Sequence, residues 1–498
     1  MSLEFPNEVW LHIFSLVSDR PSLKAIILSS RRFHDLALPE LLRSVGWSSA
    51  EKAQAHLDFF ERRVDCRKSP TRLDLTLQIE LGDTQSESVT TIVGRISWFA
   101  NLRTLSFTNA SLDGLFYTTL SQLPCLTDLS LDSCCLASFP LVVPLTLQNP
   151  SPLAVNLDIP VTHLAVASLS TLYPANTNTL YRHHLGLLRN VVSLTLTDQF
   201  PNLVDVLPAL HSLSICASSD EGAVSLLNHR YLPSIGSRLL HLRVNVQIAP
   251  LDFRTTPVAP AQLVVELSAP LLQSFTGSLY LANCLLPTSP NLSSITISTV
   301  VKKTQDALAL IEAVSAARIE EIELGVEDWD DEVLLGITHR LPSCRQIKLF
   351  FYYSQPSDDF LFNLGIHHLP CLPHLHTLHV HAVPILPSPL LYDLRRRHYL
   401  PRTEETRIPA VDIEEEKCEE YLAVWKQYNP KLRVAKFVKG REWRREGEGG
   451  RWFVWSLEDV AEHEGDGVEE EIEEWFEDED EGGSLVWESG VEVDGDEE

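Results

Sequence analysis

The chain has 498 residues, 44% of them hydrophobic, and a formal net charge of −28. That length allows a large core and more than one domain. The charge is uneven: from Ser456 to Glu498 there are 21 Asp or Glu and no Lys or Arg, which leaves −7 over the first 455 residues. The tail, and not the body, would repel nucleic acid and acidic surfaces. Nine cysteines, an odd number, do not make a secreted disulfide framework. They read as reduced thiols, and Cys125, Cys344 and Cys371 each follow a Leu-Pro element at the entry to an expected strand. Glu4, Asn7 and Glu8 interrupt any apolar core of a signal peptide. The apolar run Leu136 to Leu147 is short and broken by Pro140 and Pro144, so it is not expected to span a bilayer. The expected compartment is the cytosol or the nucleus.

The first fifty residues read as three short helices. Pro6 suits a helix start, and Val9, Ile13, Leu16 and Val17 then fall on one apolar face. Trp10 and Phe14 make a second apolar face, so this helix should be buried on two sides. Asp19 and Pro21 start a second helix carrying Leu23, Ile26 and Ile27. Ser30 can cap a third with Phe33, Leu36 and Leu38. Fewer than fifty residues cannot bury that much apolar area against themselves.

Phe5-Pro6-x-Glu8-Val9-x-x-x-Ile13-Phe14-x-Leu16 and Ser30-Arg31-Arg32-Phe33 resemble an F-box, with Phe5 where leucine is usual. The resemblance covers about the first 47 residues. It implies helices that dock on a Skp-type adaptor and, through it, join a cullin–RING ubiquitin ligase. The residues it assigns to adaptor binding are Pro6, Val9, Ile13, Phe14, Leu16, Leu23, Ile27 and Phe33.

The middle of the chain repeats the phrase L-x-x-L-x-L. It occurs as Leu102-Leu105-Phe107, Leu126-Leu129-Leu131, Val161-Leu164-Val166 and Val191-Leu194-Leu196. It continues as Leu210-Leu213-Ile215, Leu239-Leu242-Val244, Leu292-Ile295-Ile297 and Ile319-Ile322-Leu324. The last two are Cys344-Ile347-Leu349 and Leu375-Leu378-Val380, with Leu73-Leu75-Leu77 and Leu279-Leu281 as weaker members. A period of this kind marks a leucine-rich-repeat solenoid. The second and third leucines of each phrase should point inward from a short strand, and the residues between them outward. Val89 to Phe99, Leu115 to Leu123, Thr304 to Ala317 and Asp331 to Leu341 read as the intervening helices.

After Pro401 the pattern changes. Glu414 to Gln427 reads as a helix with Cys418, Tyr421, Leu422 and Trp425 on one face. Leu432 to Val438 and Trp452 to Trp455 read as the two strands of a hairpin. Trp425, Trp443, Trp452 and Trp455 suit a cap over the open end of the solenoid. Asn429-Pro430-Lys431-Leu432 with the Trp-rich hairpin resembles the C-terminal end of fungal F-box/leucine-rich proteins. Beyond Glu458 the segment is too charged to fold alone.

No constellation for chemistry stands out. The glycines form no nucleotide loop, and Cys134-Cys135 lack zinc-site spacing. His183-His184, His367-His368 and the set His374, His376, His379 and His381 invite a metal reading. Flanking strand leucines, His379 and His381 read better as an exposed sheet face. Arg395-Arg396-Arg397-His398 reads as a helix C-terminus.

The expected architecture is therefore α/β. A three-helix F-box (1–48) and a helical linker (49–69) lead into an irregular leucine-rich-repeat solenoid (70–400). That solenoid has a parallel sheet on its concave face and helices on its convex face. A helix-and-hairpin cap (401–455) and a largely disordered acidic tail (456–498) follow. The expected function is the substrate-recognition subunit of an SCF-type ubiquitin ligase, with an unknown protein target on the repeats. The chain itself is expected to be no enzyme, with no cofactor, no metal, no nucleic acid and no membrane. The alternative is a repeat scaffold outside any ligase.

Overall fold

The computed structural model describes residues 5–17, 19–76, 87–136, 158–171, 182, 184–197, 206–246, 267–351, 356–382, 415–438, 441–447 and 450–456. The acidic tail, Leu77, His183, the Arg395–His398 patch and most of the apolar run after Leu136 lie outside these residues.

The three N-terminal helices form where the caps place them. Helix α1 spans Asn7–Leu16, with Pro6 as its N-cap residue. Helix α2 spans Arg20–Ser29, and the Asp19 carboxylate accepts from the Ser22 amide at 2.8 Å. Helix α3 spans Arg31–Leu41, and the Ser30 hydroxyl accepts from the Phe33 amide at 3.2 Å. The Asp19 and Ser30 caps each satisfy an amide that the first turn would otherwise leave open, whereas Pro6 makes no side-chain cap bond.

Among the described residues the rest is built on a 16-stranded sheet, with a small second sheet of three parallel strands, Ser111–Leu112, Cys134–Leu136 and Leu169–Thr171. The first strand of the large sheet, β1 (Ser44–Trp47), pairs parallel with Arg72–Thr76. The large sheet thus begins at Ser44, inside the segment expected to be F-box alone. Helix α4 (Ala50–Arg62), expected in a linker, connects those two neighbouring strands as the helix of a first repeat. Every later phrase supplies a parallel neighbour. Leu105, Leu129, Leu164, Leu194, Leu213 and Leu242 stand side by side in register. Phe275, Ile295, Ile322, Ile347 and Leu378 continue the same column. All of these side chains are buried. At repeat entries the amide of the first-leucine position bonds back three residues, as in Leu102→Phe99 (3.0 Å) and Leu375→Leu372 (3.1 Å). Single carbonyls then accept from two successive amides of the next repeat: Thr71 O takes Arg103 and Thr104, and Arg103 O takes Thr127 and Asp128. Stacking therefore satisfies the backbone and buries the apolar column together.

Two expectations need correction. Leu279-Leu281 is not a strand: Leu279–Leu285 is helix, and the repeat at that point is Leu272-Phe275-Gly277. The Phe275 ring fills the space that the third side chain of the phrase takes elsewhere. A Cβ at Gly277 would stand 2.6 Å from Phe275 Cζ, which only glycine avoids. At the C-terminal end, Val434–Val438 is not half of a two-strand hairpin. It pairs parallel with Thr377–Ala382 as one more repeat. Arg441–Arg445, a strand the charged sequence hides, then pairs antiparallel with it, and Trp452–Ser456 pairs antiparallel with Arg441–Arg445.

The cap helix, Glu415–Tyr428, packs as its apolar face predicts, with Cys418, Tyr421, Leu422 and Trp425 buried. The Trp425 indole donates to Leu361 O at 2.9 Å, and Phe437 lies between Trp425 (5.0 Å) and Trp443 (4.6 Å). No helix of the described residues is long and apolar enough to cross a membrane.

Candidate protein-docking surfaces

Two exposed faces stand out among the described residues. The first is on α1. Its Trp10 and Phe14 side turns inward, where Phe33 of α3 lies 4.7 Å from Trp10 and 5.6 Å from Phe14. Arg32 fixes the approach: its Nε and one Nη donate to Asn7 Oδ1 at 3.1 and 2.7 Å, and the same Nη donates to Phe5 O at 2.9 Å. The opposite side of α1 is open. Val9 is 39% exposed, Ile13 40% and Leu16 70% on that side, and Leu11, 40% exposed, lies on the other flank of the helix. Leu28 at the end of α2 and Phe5 just before α1 are exposed as well.

The residues assigned to adaptor binding therefore divide. Pro6, Val9, Ile13 and Leu16 are exposed. Phe14, Leu23 and Ile27 are buried inside the chain and hold the three helices together, so in this conformation they are not available to a partner. Phe33 is half-buried against Trp10 and Phe14. Of the two sides of α1 expected to be buried, α3 covers that of Trp10 and Phe14, and the side of Val9, Ile13 and Leu16 is exposed within the chain. Leu11 and Leu28 were missed, because neither continues the i, i+4, i+7 face read from the sequence.

The helices are tied to the sheet. Arg20 of α2 donates to Ser44 O of β1. In β1, the Trp47 indole donates to His56 Nδ1 of α4 at 2.8 Å, and Trp47 packs on Phe99 at 6.2 Å. Burial, with Lys52 and Arg20 nearby, pushes the His56 pKa down to about 4. His56 is thus a neutral acceptor at neutral pH.

The second face is the side of the sheet away from the helices. Its central column runs in register through Ser106, Ser130, Ala165, Thr195 and Ser214 to Arg243. Thr276 and Thr296 follow, and then Glu323, Lys348, His379 and Lys436. Small hydroxyl side chains give way to charges toward the C-terminal end. Lys348 Nζ lies 3.3 Å from Glu323 Oε2. A depression of about 130 Å³ sits where the small residues are, lined by Asp128, Ser130, His163, Ala165 and Thr195 among others. Thr195 and Ser130 are half-buried rather than fully exposed, because neighbouring strands flank them.

His379 and His381 do not share an exposed face. His381 is buried, with its ring 5.1 Å from Phe350. His379 Nε2 lies 3.9 Å from Glu442 Oε2, and burial pushes its pKa down to about 4 against the opposing pull of that carboxylate. The unforeseen strand Arg441–Arg445 carries Glu442 across these histidines, which is why the sequence did not reveal their burial. His184 is also interior, 3.0 Å from the Tyr117 hydroxyl. Among the described residues no three His, Cys, Asp or Glu side chains gather as a metal site would. Cys66, Cys134, Cys344 and Cys418 are buried, whereas Cys125 is exposed.

No family model matches the chain, and no curated protein matches it. Among solved structures it is similar to the leucine-rich-repeat ectodomain of the plant membrane receptor kinase GASSHO1/SCHENGEN3 from Arabidopsis thaliana, in complex with CASPARIAN STRIP INTEGRITY FACTOR 2. The match has 12% identity and a TM-score of 0.21, and covers 64% of this chain and 46% of that one.

Proposed function

We propose that the chain is a recognition subunit of an SCF-type ubiquitin ligase. In this reading α1–α3 dock on a Skp-type adaptor, and the open sheet face holds a protein target. The chain performs no chemistry of its own, and its place is the cytosol or nucleus, where such ligases work. The observation that carries the reading is the apolar flank of α1 on which Val9, Ile13 and Leu16 are exposed together. A helix whose other side is already packed gains nothing for the fold by displaying three large apolar residues on one flank, and such patches mark interaction sites. The ties from Arg20 to β1 and from Trp47 to His56 support the same reading. They hold adaptor side and target side at a fixed separation, which a ligase receptor needs because transfer happens on a distant partner.

A scaffold outside any ligase is the second reading. The observation that favours it is that the sheet starts at Ser44, so α1–α3 are continuous with the first repeat and serve to close it. Purified Skp-type adaptor separates the two. The full chain should bind it, and Ile13→Asp with Leu16→Asp should lose binding while circular dichroism stays unchanged. Absence of binding by the unaltered chain, or equal binding by the double variant, would leave the scaffold reading standing.

A further inference from the structure

The end of the sheet is basic and the segment after it is strongly acidic. Residues 426–451 hold nine Lys or Arg against three Glu, a balance of +6. Residues 456–498 hold 21 acidic residues and no Lys or Arg. Some surface cations elsewhere pair with carboxylates, as in Arg95 with Asp58 and Glu61, Arg340 with Glu312, and Lys348 with Glu323. At this end Glu442 is buried and already accepts from Arg444 Nε at 2.6 Å. Among the described residues, Lys431, Arg433, Lys436, Arg441 and Arg451 form no ion pair, and all are exposed or half-buried. The field is felt nearby. His376 has its pKa lowered first by burial and then by Arg433, Arg345, Lys431 and His374, with no carboxylate opposing them.

We propose that residues 457–498 are an intramolecular ligand, a polyanion that docks on this basic end through Lys431, Arg433, Lys436, Arg441 and Arg451. The chain leaves the sheet at Ser456, directly opposite Arg441 in the last antiparallel pair. By coil scaling a tether of about 40 residues spans roughly 35 Å, against about 4.8 Å per strand crossed. Every one of these cations is therefore within its reach. Tethering converts weak single contacts into a high effective concentration of carboxylates. Lys436 stands beside His379 on the open face, so the docked segment covers the charged end of that face and leaves the small-residue stretch clear. An acidic partner using the charged end must displace it. This inference does not depend on the ligase reading.

The test is carbodiimide coupling of carboxylates to lysine amines in the full chain, followed by peptide mapping of the monomer fraction. Tail carboxylates should couple to Lys431 and Lys436 at low salt. Coupling should drop about fivefold in 1 M NaCl, where screening acts over about 3 Å. Arg433→Ser, Arg441→Ser and Arg451→Ser together keep both lysines and the tether but remove three charges, and should cut the yield about threefold by the same electrostatics. Coupling insensitive to salt would reduce the contact to tether proximity and overturn the proposal. So would equal coupling to the remote Lys302 and Lys303, or coupling only between molecules. If the triple variant fails to fold, the salt arm on the unaltered chain still decides.

Discussion

The two ends of the solenoid solve the same problem differently. Each must cover a terminal strand and its apolar column. The C-terminal end turns its large apolar side chains inward: Trp425 is fully buried, Trp443 nearly so, and the final strands run antiparallel to close the stack. The N-terminal end covers its first strand with Trp47, Phe60 and Phe99, yet leaves an apolar stripe on α1 in solvent. A cap that only sealed would resemble the C-terminal one. The exposed stripe therefore points to a task beyond sealing.

If the C-terminal end is a pure seal, damage there should cost stability heavily. Trp425→Ala removes a fully buried indole and its bond to Leu361 O, and should destabilise by about 3–5 kcal/mol, as large aromatic truncations do. Denaturant unfolding measures this. A loss below about 1 kcal/mol, the scale of one ordinary hydrogen bond, would mean that the end is loosely attached.

Between the ends, the column and the open face should separate cleanly. Leu194→Ala should cost about 2–5 kcal/mol, because a buried leucine leaves both lost transfer energy and a cavity. Its neighbour Thr195→Ala touches no core and should stay within about 0.5 kcal/mol of the parent. Similar losses at both positions would contradict the division of the sheet into an inward and an outward face.

This division is legible in the amino-acid sequence, because an L-x-x-L-x-L phrase dictates which residues alternate inward, and stacking then sets the register. The same logic fails where side-chain chemistry and pairing diverge. Leu279-Leu281 has the right letters, but Phe275 already occupies the repeat, with Gly277 making room. Arg441–Arg445 has no apolar alternation, and only its neighbours make it a strand. On α1 the caps and the helix are legible, but not which of two apolar sides faces the core. That choice is made by Phe33 and Arg32, about twenty residues away in sequence.

Acid should weaken the N-terminal tie in a defined window. His56 in the fold takes no proton until about pH 4, whereas an unfolded histidine takes one near 6.5. Between these values the unfolded state binds more protons, so stability falls as pH drops through that range, by about 3 kcal/mol when complete. His56→Gln retains an acceptor for the Trp47 indole but has no such proton to gain. Melting temperatures of the two proteins should therefore converge toward pH 4. A variant that loses stability as steeply as its parent would show that other groups govern the acid response.

The smallest expected stability change carries the sharpest contrast, because it sits on one helix. Phe14→Asp places a carboxylate among Trp10 and Phe33 without a partner and should cost several kcal/mol, melting the N-terminal helices. Ile13→Asp and Leu16→Asp, on the other side of the same helix, place carboxylates in water. Together they should move stability by no more than about 0.5 kcal/mol, as exposed substitutions do. Loss of adaptor binding at unchanged stability assigns the bare side of α1 to a partner. If instead the double variant unfolds the helices as Phe14→Asp does, that side is already covered within the chain, and the two ends of the solenoid are both seals.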